Sequence, residues 1–526
     1  MLWSLGNEEW AVEGNEKGAR ITSTLQRYAQ RLDPTRRTTV ALSGGWGKGI
    51  STVLDVMGYN YISHGSTDEQ HAQFPQQPGV GTEETTTQCT RGIYFDDRAR
   101  GHAAPIENGN SGGNAEIGWR HYAERPYLAG LFYWTGFDYR GEPNPFGFPA
   151  ISSQFGILDT CGFPKDGFYY LKAWWTDQPV LHVFPHWTWP GREGQKIDVR
   201  VHSNADEVEL LLNGESLGKK PVVKNDHLAW QVTYKAGTLE ARAYRAGKLS
   251  ATERVETCSA PTALRLEADG KAAWNRAGDV VVFNVSAQDA QGRAVPTADA
   301  EVTFTLKGPG KIIGVGNGDP SSHEADTYFS APQVTALGPF RERVASAPVL
   351  DDQGKPLSGL TLPELAANFD DSGWHGSNDA KVQRVFRLKF AAPALPPGAT
   401  ARLLLRRFGA AQAVYLNGKL QSTFTSQDAA LPELPLSAAS LHARDNVLVV
   451  LATPYKDDLE RERAHNGAAA LVRFDVPAAA WKRKLFSGLA QVLVQTTEAN
   501  GTLSLSANSG SLKAATLDVT GPASVR

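Results

Sequence analysis

Trp3, Ser4, Leu5, Gly6, Asn7 and Glu8 form a short apolar run that glycine and asparagine break before an acid is delivered. Read as a strand, the run gives way to a loop where Glu8 and Glu9 stand. In barrels of alternating strands and helices, chemistry collects at such C-terminal strand ends. The same residues also fit a helix N-terminus, with Asn7 as the cap and Glu8 and Glu9 favoured by the helix dipole.

A second stretch favours the strand reading. Gln77, Pro78, Gly79, Val80, Gly81, Thr82 and Glu83 again form a short strand that ends in an acid. Hydrolysis of a glycosidic bond with retention needs two carboxyl groups about 5 Å apart, one to protonate the leaving oxygen and one to attack the anomeric carbon. Two strand-end glutamates of one barrel meet that need. Between them the pattern predicts a helix over 17–31, a strand over 38–43, a short helix over 50–54 and a strand over 56–61, so strand and helix alternate. Glu84 points to the opposite face if the segment is extended, and no role is assigned to it.

At 526 residues and 56.9 kDa the chain exceeds a single core, and a prior of roughly 150 residues per domain suggests three or four. Charged residues make up 21% and the formal net charge is −3, so no general attraction to nucleic acid or to an anionic membrane is expected. No apolar run approaches the roughly 20 residues of a membrane-spanning helix. The three cysteines, Cys89, Cys161 and Cys258, show no CxxC spacing, which argues against a disulfide framework or a zinc site. The 13 tryptophans and 51 glycines suit a sugar-handling protein with turn-rich β-domains, because flat aromatic faces stack on sugar rings.

The texture of the chain changes three times. Residues 1–178 carry the strand and helix alternation, closing with a strand over 130–134, a long aromatic loop over 135–164 and a helix from about 167 to 175. Residues 179–258 show short alternating strands with a hairpin signal at Asn213 and Gly214, as in a small sandwich. A second sandwich is expected from 259–333, completed by 484–526. Its glycine-rich stretch from Ile312 to Pro320 is read as a turn rather than a phosphate loop, since no helix follows. Residues 334–483 form an inserted jelly-roll candidate with a hairpin at Asn417 and Gly418.

Taken together, these residues resemble glycoside hydrolase family 2, and most closely its bacterial β-galactosidases. The run from Trp3 to Glu8 is similar to that family's acid/base strand, and Gly81, Thr82 and Glu83 with Arg91 and Gly92 are similar to its nucleophile strand. The stretches from Phe132 to Tyr139, Phe155 to Asp159 and Gly162 to Asp166 extend the match, and Leu181 to Trp187 resembles the start of its next immunoglobulin-like domain. The resemblance implies the C-terminal part of a (β/α)8 TIM barrel, its strands 4 to 8, followed by immunoglobulin-like β-sandwiches, one of which carries an inserted galactose-binding-like jelly roll. It implies a retaining hydrolase of terminal β-galactosides, with Glu8 as general acid/base, Glu83 as nucleophile and Asn7 on the sugar 2-hydroxyl. Tyr61 is a candidate donor to Glu83 or a packing residue. Trp134 is a candidate pocket floor or a core residue, and Asp138 a candidate ligand for sugar hydroxyls.

Other sugars stay open. The family's glucuronidases place an Asn and a Lys around the substrate carboxylate, and here Ser153 and Phe155 stand at those positions, which favours galactoside over glucuronide. Glucuronide or mannoside hydrolysis and a non-catalytic carbohydrate-binding role are the alternatives. The resemblance calls for no cofactor, no metal is assigned, and a homo-oligomer is compatible with it. The family's N-terminal domains and first three barrel strands have no counterpart before Met1, so the isolated chain is expected to be inactive or weakly active. A periplasmic or secreted full-length protein fits.

Overall fold

Five parallel strands stand in chain order in the first part of the molecule: β1 (Trp3–Asn7), β2 (Thr38–Leu42), β3 (Met57–Asn60), β4 (Gly79–Glu84) and β5 (Leu128–Tyr133). The computed structural model describes residues 2–105, 115–270, 274–328, 332–351, 353–375, 381–394, 400–425, 433–436, 440–455, 470–475 and 479–521. Helix α1 (Glu16–Leu32) follows β1, α2 (Thr67–Gln73) follows β3, α3 (Ala115–Ala123) follows β4 and α4 (Asp166–Trp175) follows β5. The link from β2 to β3 is a 3-10 turn, Gly49–Thr52, where the sequence suggested a short α-helix. No helix among the described residues is long and apolar enough to cross a membrane.

Local chemistry explains these elements. Asn15 caps α1, its side chain accepting from the Gly18 amide at 3.1 Å, with Glu16 in the first turn and Arg31 in the last. Ser66 caps α2 in the same way through the Glu69 amide. Strands β2 and β3 are buried along their whole length, as a parallel sheet covered on both faces requires. Val40, Leu42, Met57, Tyr59 and Tyr122 form the core around them.

The chain divides into two compact units, residues 1–327 with 480–526, and residues 328–479. Within the first unit, a three-stranded and a four-stranded sheet cover residues 181–256, and Val199, Leu210, Leu239 and the buried Trp187 and Trp230 fill the space between them. Strand Val280–Gln288 pairs with Leu489–Thr496, and Glu301–Lys307 pairs with Trp481–Lys484 and Thr502–Ser509, so residues distant in sequence complete one structure. Residues 312–320 end a strand and form a turn that docks on the first part of the chain. There Arg91 binds Asp159 and donates to the carbonyls of Asn317 and Phe486. A Cβ on Gly318 would lie 1.8 Å from the Asp159 carboxylate, and its φ of +76° also calls for glycine.

The second unit packs a four-stranded sheet on a five-stranded one. Phe386, Leu388 and Val450 from one sheet meet Leu403, Val472 and Phe474 from the other. Pro332–Ala336 pairs with Ala470–Asp475 inside this unit.

Candidate active site

Glu8, Tyr61 and Thr85 directly follow β1, β3 and β4, and all three have positive φ, at 53°, 61° and 62°. Such backbone is costly for residues other than glycine, by about 1–3 kcal/mol each, and clusters where side chains must be aimed. Neighbouring strands hold two of the turns in place. The Glu8 amide donates to the Ala41 carbonyl at 3.0 Å, and the Tyr61 amide to the Glu83 carbonyl at 2.9 Å.

The two carboxylates expected from the sequence converge on one amide. Asn60 Nδ2 lies 3.0 Å from Glu8 Oε1 and 3.3 Å from Glu83 Oε2. Because carboxylates only accept, the NH2 side of Asn60 must face them. Its Oδ1 correspondingly accepts from Thr82 Oγ1 at 2.7 Å. Ser43 Oγ also donates to Glu8 Oε1, so that oxygen carries two donors while Oε2 faces none among the described residues. Glu83 receives a donor on each oxygen, Tyr61 Oη on Oε1 at 2.7 Å and Asn60 on Oε2. Asn7 stands at the margin of this group, with its Oδ1 3.5 Å from Asn60 Nδ2.

Burial raises the pKa of Glu83 above the ordinary carboxylate value; the Tyr61 bond pulls it down, and the charges of Glu8 and Glu142 push it up. Tyr61 is raised by burial and by Glu83, so the phenol keeps its proton as a donor. Glu84 lies fully buried on the other side of β4. Burial there lifts its pKa to about 8, against a bond from Tyr122 Oη at 3.0 Å.

Trp134 follows β5 half-buried, its amide donating to the Glu84 carbonyl at 2.8 Å and its ring edge-on to Tyr139. Asp138 does not join the group. Its carboxylate is 5% exposed and held at 2.8 Å by Lys165 Nζ, and one of its oxygens also accepts from the Gly156 amide. Both oxygens accept from the protein, so Asp138 stands in a buried ion pair with Lys165. Sequence reasoning missed Asn60, Thr82 and Ser43. The available signal was an asparagine at the end of a strand beside Tyr61. Glu116, Asp226 and His227 offer metal-type ligand atoms within 4.8 Å of one another, but Arg120 already pairs with both acids at 2.6 and 3.2 Å.

Known proteins share this architecture. Residues 264–336 match glycoside hydrolase family 2 C-terminal domain 5, and residues 194–251 match the domain of unknown function DUF4982. The β-galactosidase BoGH2A of Bacteroides ovatus is 38% identical over 342 residues, which are 60% of this chain and 40% of that protein. A putative β-glucuronidase of Formosa agariphila is 31% identical over 61% of this chain and 33% of its own length. The chain thus spans less than half of either relative. A β-glycosidase from Bacteroides vulgatus superposes with a TM-score of 0.61 at 21% identity, covering 99% of this chain and 50% of that one. A glycosyl hydrolase family 2 member from Bacteroides cellulosilyticus gives a TM-score of 0.58 at 19% identity, over 99% and 49% of the two chains.

Proposed function

We propose that this chain, a member of glycoside hydrolase family 2, carries the catalytic pair of a retaining hydrolase of terminal β-galactosides. The observation that carries the reading is the pair of strand-end carboxylates, Glu8 and Glu83, sharing the amide of Asn60. A common donor to both carboxylates supports the close pairing that a retaining mechanism calls for. In this reading the five parallel strands are the C-terminal part of a (β/α)8 barrel. The sheets of 179–258 and of 259–333 with 484–526 are immunoglobulin-like, and residues 334–483 are a galactose-binding-like insertion.

The donor pattern supports a division of roles. Glu83, with a donor on each oxygen, is the nucleophile that must be ionised. Glu8 receives both of its donors on Oε1, which leaves Oε2 to carry the proton. In the first step that proton passes to the glycosidic oxygen as its bond to the anomeric carbon breaks and a Glu83 oxygen bonds to that carbon. Glu8, now ionised, then takes a proton from water; the water oxygen bonds to the anomeric carbon and Glu83 is released. Asn7 binds the sugar 2-hydroxyl and Trp134 floors the sugar pocket. Asp138 holds Lys165 and takes no part in binding.

Galactoside is favoured over glucuronide because the positions that hold a uronate in glucuronidases carry Ser153 and Phe155, both buried, and Lys165 nearby is neutralised by Asp138. The similarity to a galactosidase at 38% identity supports the same sugar. Side-by-side hydrolysis of aryl β-galactoside, β-glucuronide and β-mannoside tests this. Fastest turnover of the galactoside supports the reading, and fastest turnover of another sugar replaces it.

A further inference from the structure

Ser43 donates to Glu8 and Tyr61 to Glu83, and a hydroxyl has a single proton, so each of these serves one carboxylate. Asn60 is different. Its amide nitrogen is 3.0 Å from Glu8 Oε1 and 3.3 Å from Glu83 Oε2, and an amide NH2 has a hydrogen for each acid. Asn60 ends β3 fully buried, and in the parallel pairing of β3 with β4 it stands opposite Glu83. Thr82 Oγ1 lies 2.7 Å from Asn60 Oδ1 and 3.1 Å from the Tyr59 carbonyl, and it has one proton to give. Two oxygens 2.7 Å apart need a proton between them, so Thr82 spends its own on Oδ1 and the NH2 side faces the carboxylates.

This position matters because of where charge travels. In the proposed double displacement the pair starts with one negative charge, on Glu83, while Glu8 holds a proton. When that proton passes to the glycosidic oxygen and a Glu83 oxygen bonds to the anomeric carbon, the charge of Glu83 is consumed in the new ester and an equal charge appears on Glu8. The second step reverses the transfer. A donor fixed on one carboxylate serves half of this cycle. A dipole fixed between the two meets the charge at either end without turning, and donors that need no reorganisation at the moment of reaction stabilise a transition state most.

We propose that Asn60 is a positioning residue for both steps, its amide holding the single negative charge of the pair on whichever of Glu8 and Glu83 carries it. This rests on the assignment of those two glutamates as the catalytic pair. The other charged groups near the pair are Glu13 and His64 on the side of Glu8, and Glu84 and Glu142 on the side of Glu83. Carbon NMR titration of the full chain, isotope-labelled at glutamate Cδ, tests the proposal, with Glu8→Gln and Glu83→Gln identifying the two signals. Asn60→Leu, close in volume but without a donor, is expected to raise the pKa of both glutamates by about one pH unit or more, whereas Tyr61→Phe should raise chiefly that of Glu83. A purely structural role for Asn60 would move neither. A rise confined to one glutamate, or none, overturns the shared role and leaves the two glutamates assigned as before. If Asn60→Leu does not fold, the unsubstituted chain labelled with heavy nitrogen at asparagine carries the test. The Asn60 side-chain amide should then titrate in two steps, one lost with Glu8→Gln and the other with Glu83→Gln, and a single step overturns the proposal. Neither measurement needs turnover, so a different preferred sugar in the hydrolysis comparison leaves the role of Asn60 standing, and loss of that role leaves the sugar standing.

Discussion

The phenolic oxygen of Tyr61 lies 2.7 Å from Glu83 Oε1 and donates to it. This bond opposes burial, which raises the pKa of Glu83. Tyr61→Phe is therefore expected to raise that pKa further. Because the nucleophile works ionised, the acid limb of the pH profile of kcat/KM should move to higher pH. A lost hydrogen bond to a charged group is worth about 1.5–3 kcal/mol, or roughly a 10–100-fold fall in rate. An unmoved acid limb would separate Tyr61 from Glu83 ionisation.

Glu83→Gly should abolish turnover of aryl galactosides, and azide should restore part of it as the α-galactosyl azide, formed by a single inversion. Glu8→Ala should instead give the β-galactosyl azide, because azide there attacks a covalent α-linked intermediate. Chromatography of the products distinguishes the two carboxylates, and exchanged anomers would exchange their roles.

Glu84, lifted to about 8 by burial, holds its proton more tightly in the folded chain than at its ordinary 4.5. Its contribution to stability is full below about 4.5 and is lost as pH rises through about 8. Glu84→Gln should flatten the decline of urea stability across that window. An unchanged slope would show that Glu84 is ionised in the fold.

His182 stacks on Tyr169 and lies between Asp166 and Glu253. Burial alone would lower its pKa, but the two carboxylates outweigh it and raise it to about 9. Its stabilising effect is full below about 6.5 and fades as pH rises toward 9, on the order of 3 kcal/mol in all. His186, held down to about 4 by burial, has the opposite sign, its contribution being lost as pH falls from 6.5 toward 4. His182→Ala should lessen the fall in Tm as pH rises toward 9, leave the share that comes from Glu84, and leave the acid fall in place; an alkaline fall that persists unchanged in the variant would refute the assignment.

Lys165→Ala leaves the buried Asp138 carboxyl without its partner, which costs about 3–5 kcal/mol. Thermal unfolding should show that loss, while KM for galactosides stays unchanged below the new Tm. A large rise in KM with little change in Tm would return Asp138 to the sugar.

What was legible in the sequence follows from where the signals are local. Glu8 and Glu83 stand out because glycine and a polar residue break an apolar run just before each of them, which marks a strand end whatever lies around it. Asn60 gives no such signal; its importance comes from two carboxylates on other strands that meet at its amide. The Lys165 partner of Asp138 is illegible for a related reason: it comes from a later segment, and nothing local to the aromatic loop marks the pair. Helix α2 lacks an apolar stripe and is marked only by its Ser66 cap. Residues 50–54 are too few to sustain an α-helix, and the sheet resolves them as a 3-10 turn.

The clamp made by Arg91 also sets a schedule. Its guanidinium, on the loop that leaves Glu83, takes a carbonyl from Phe486, 395 residues further along the chain. At roughly 5–20 residues per second, a ribosome reaches that partner some 20–80 s after making the arginine. Through that interval the loop that leaves Glu83 lacks one of its anchors, so this part of the fold waits on residues near the end of the sequence.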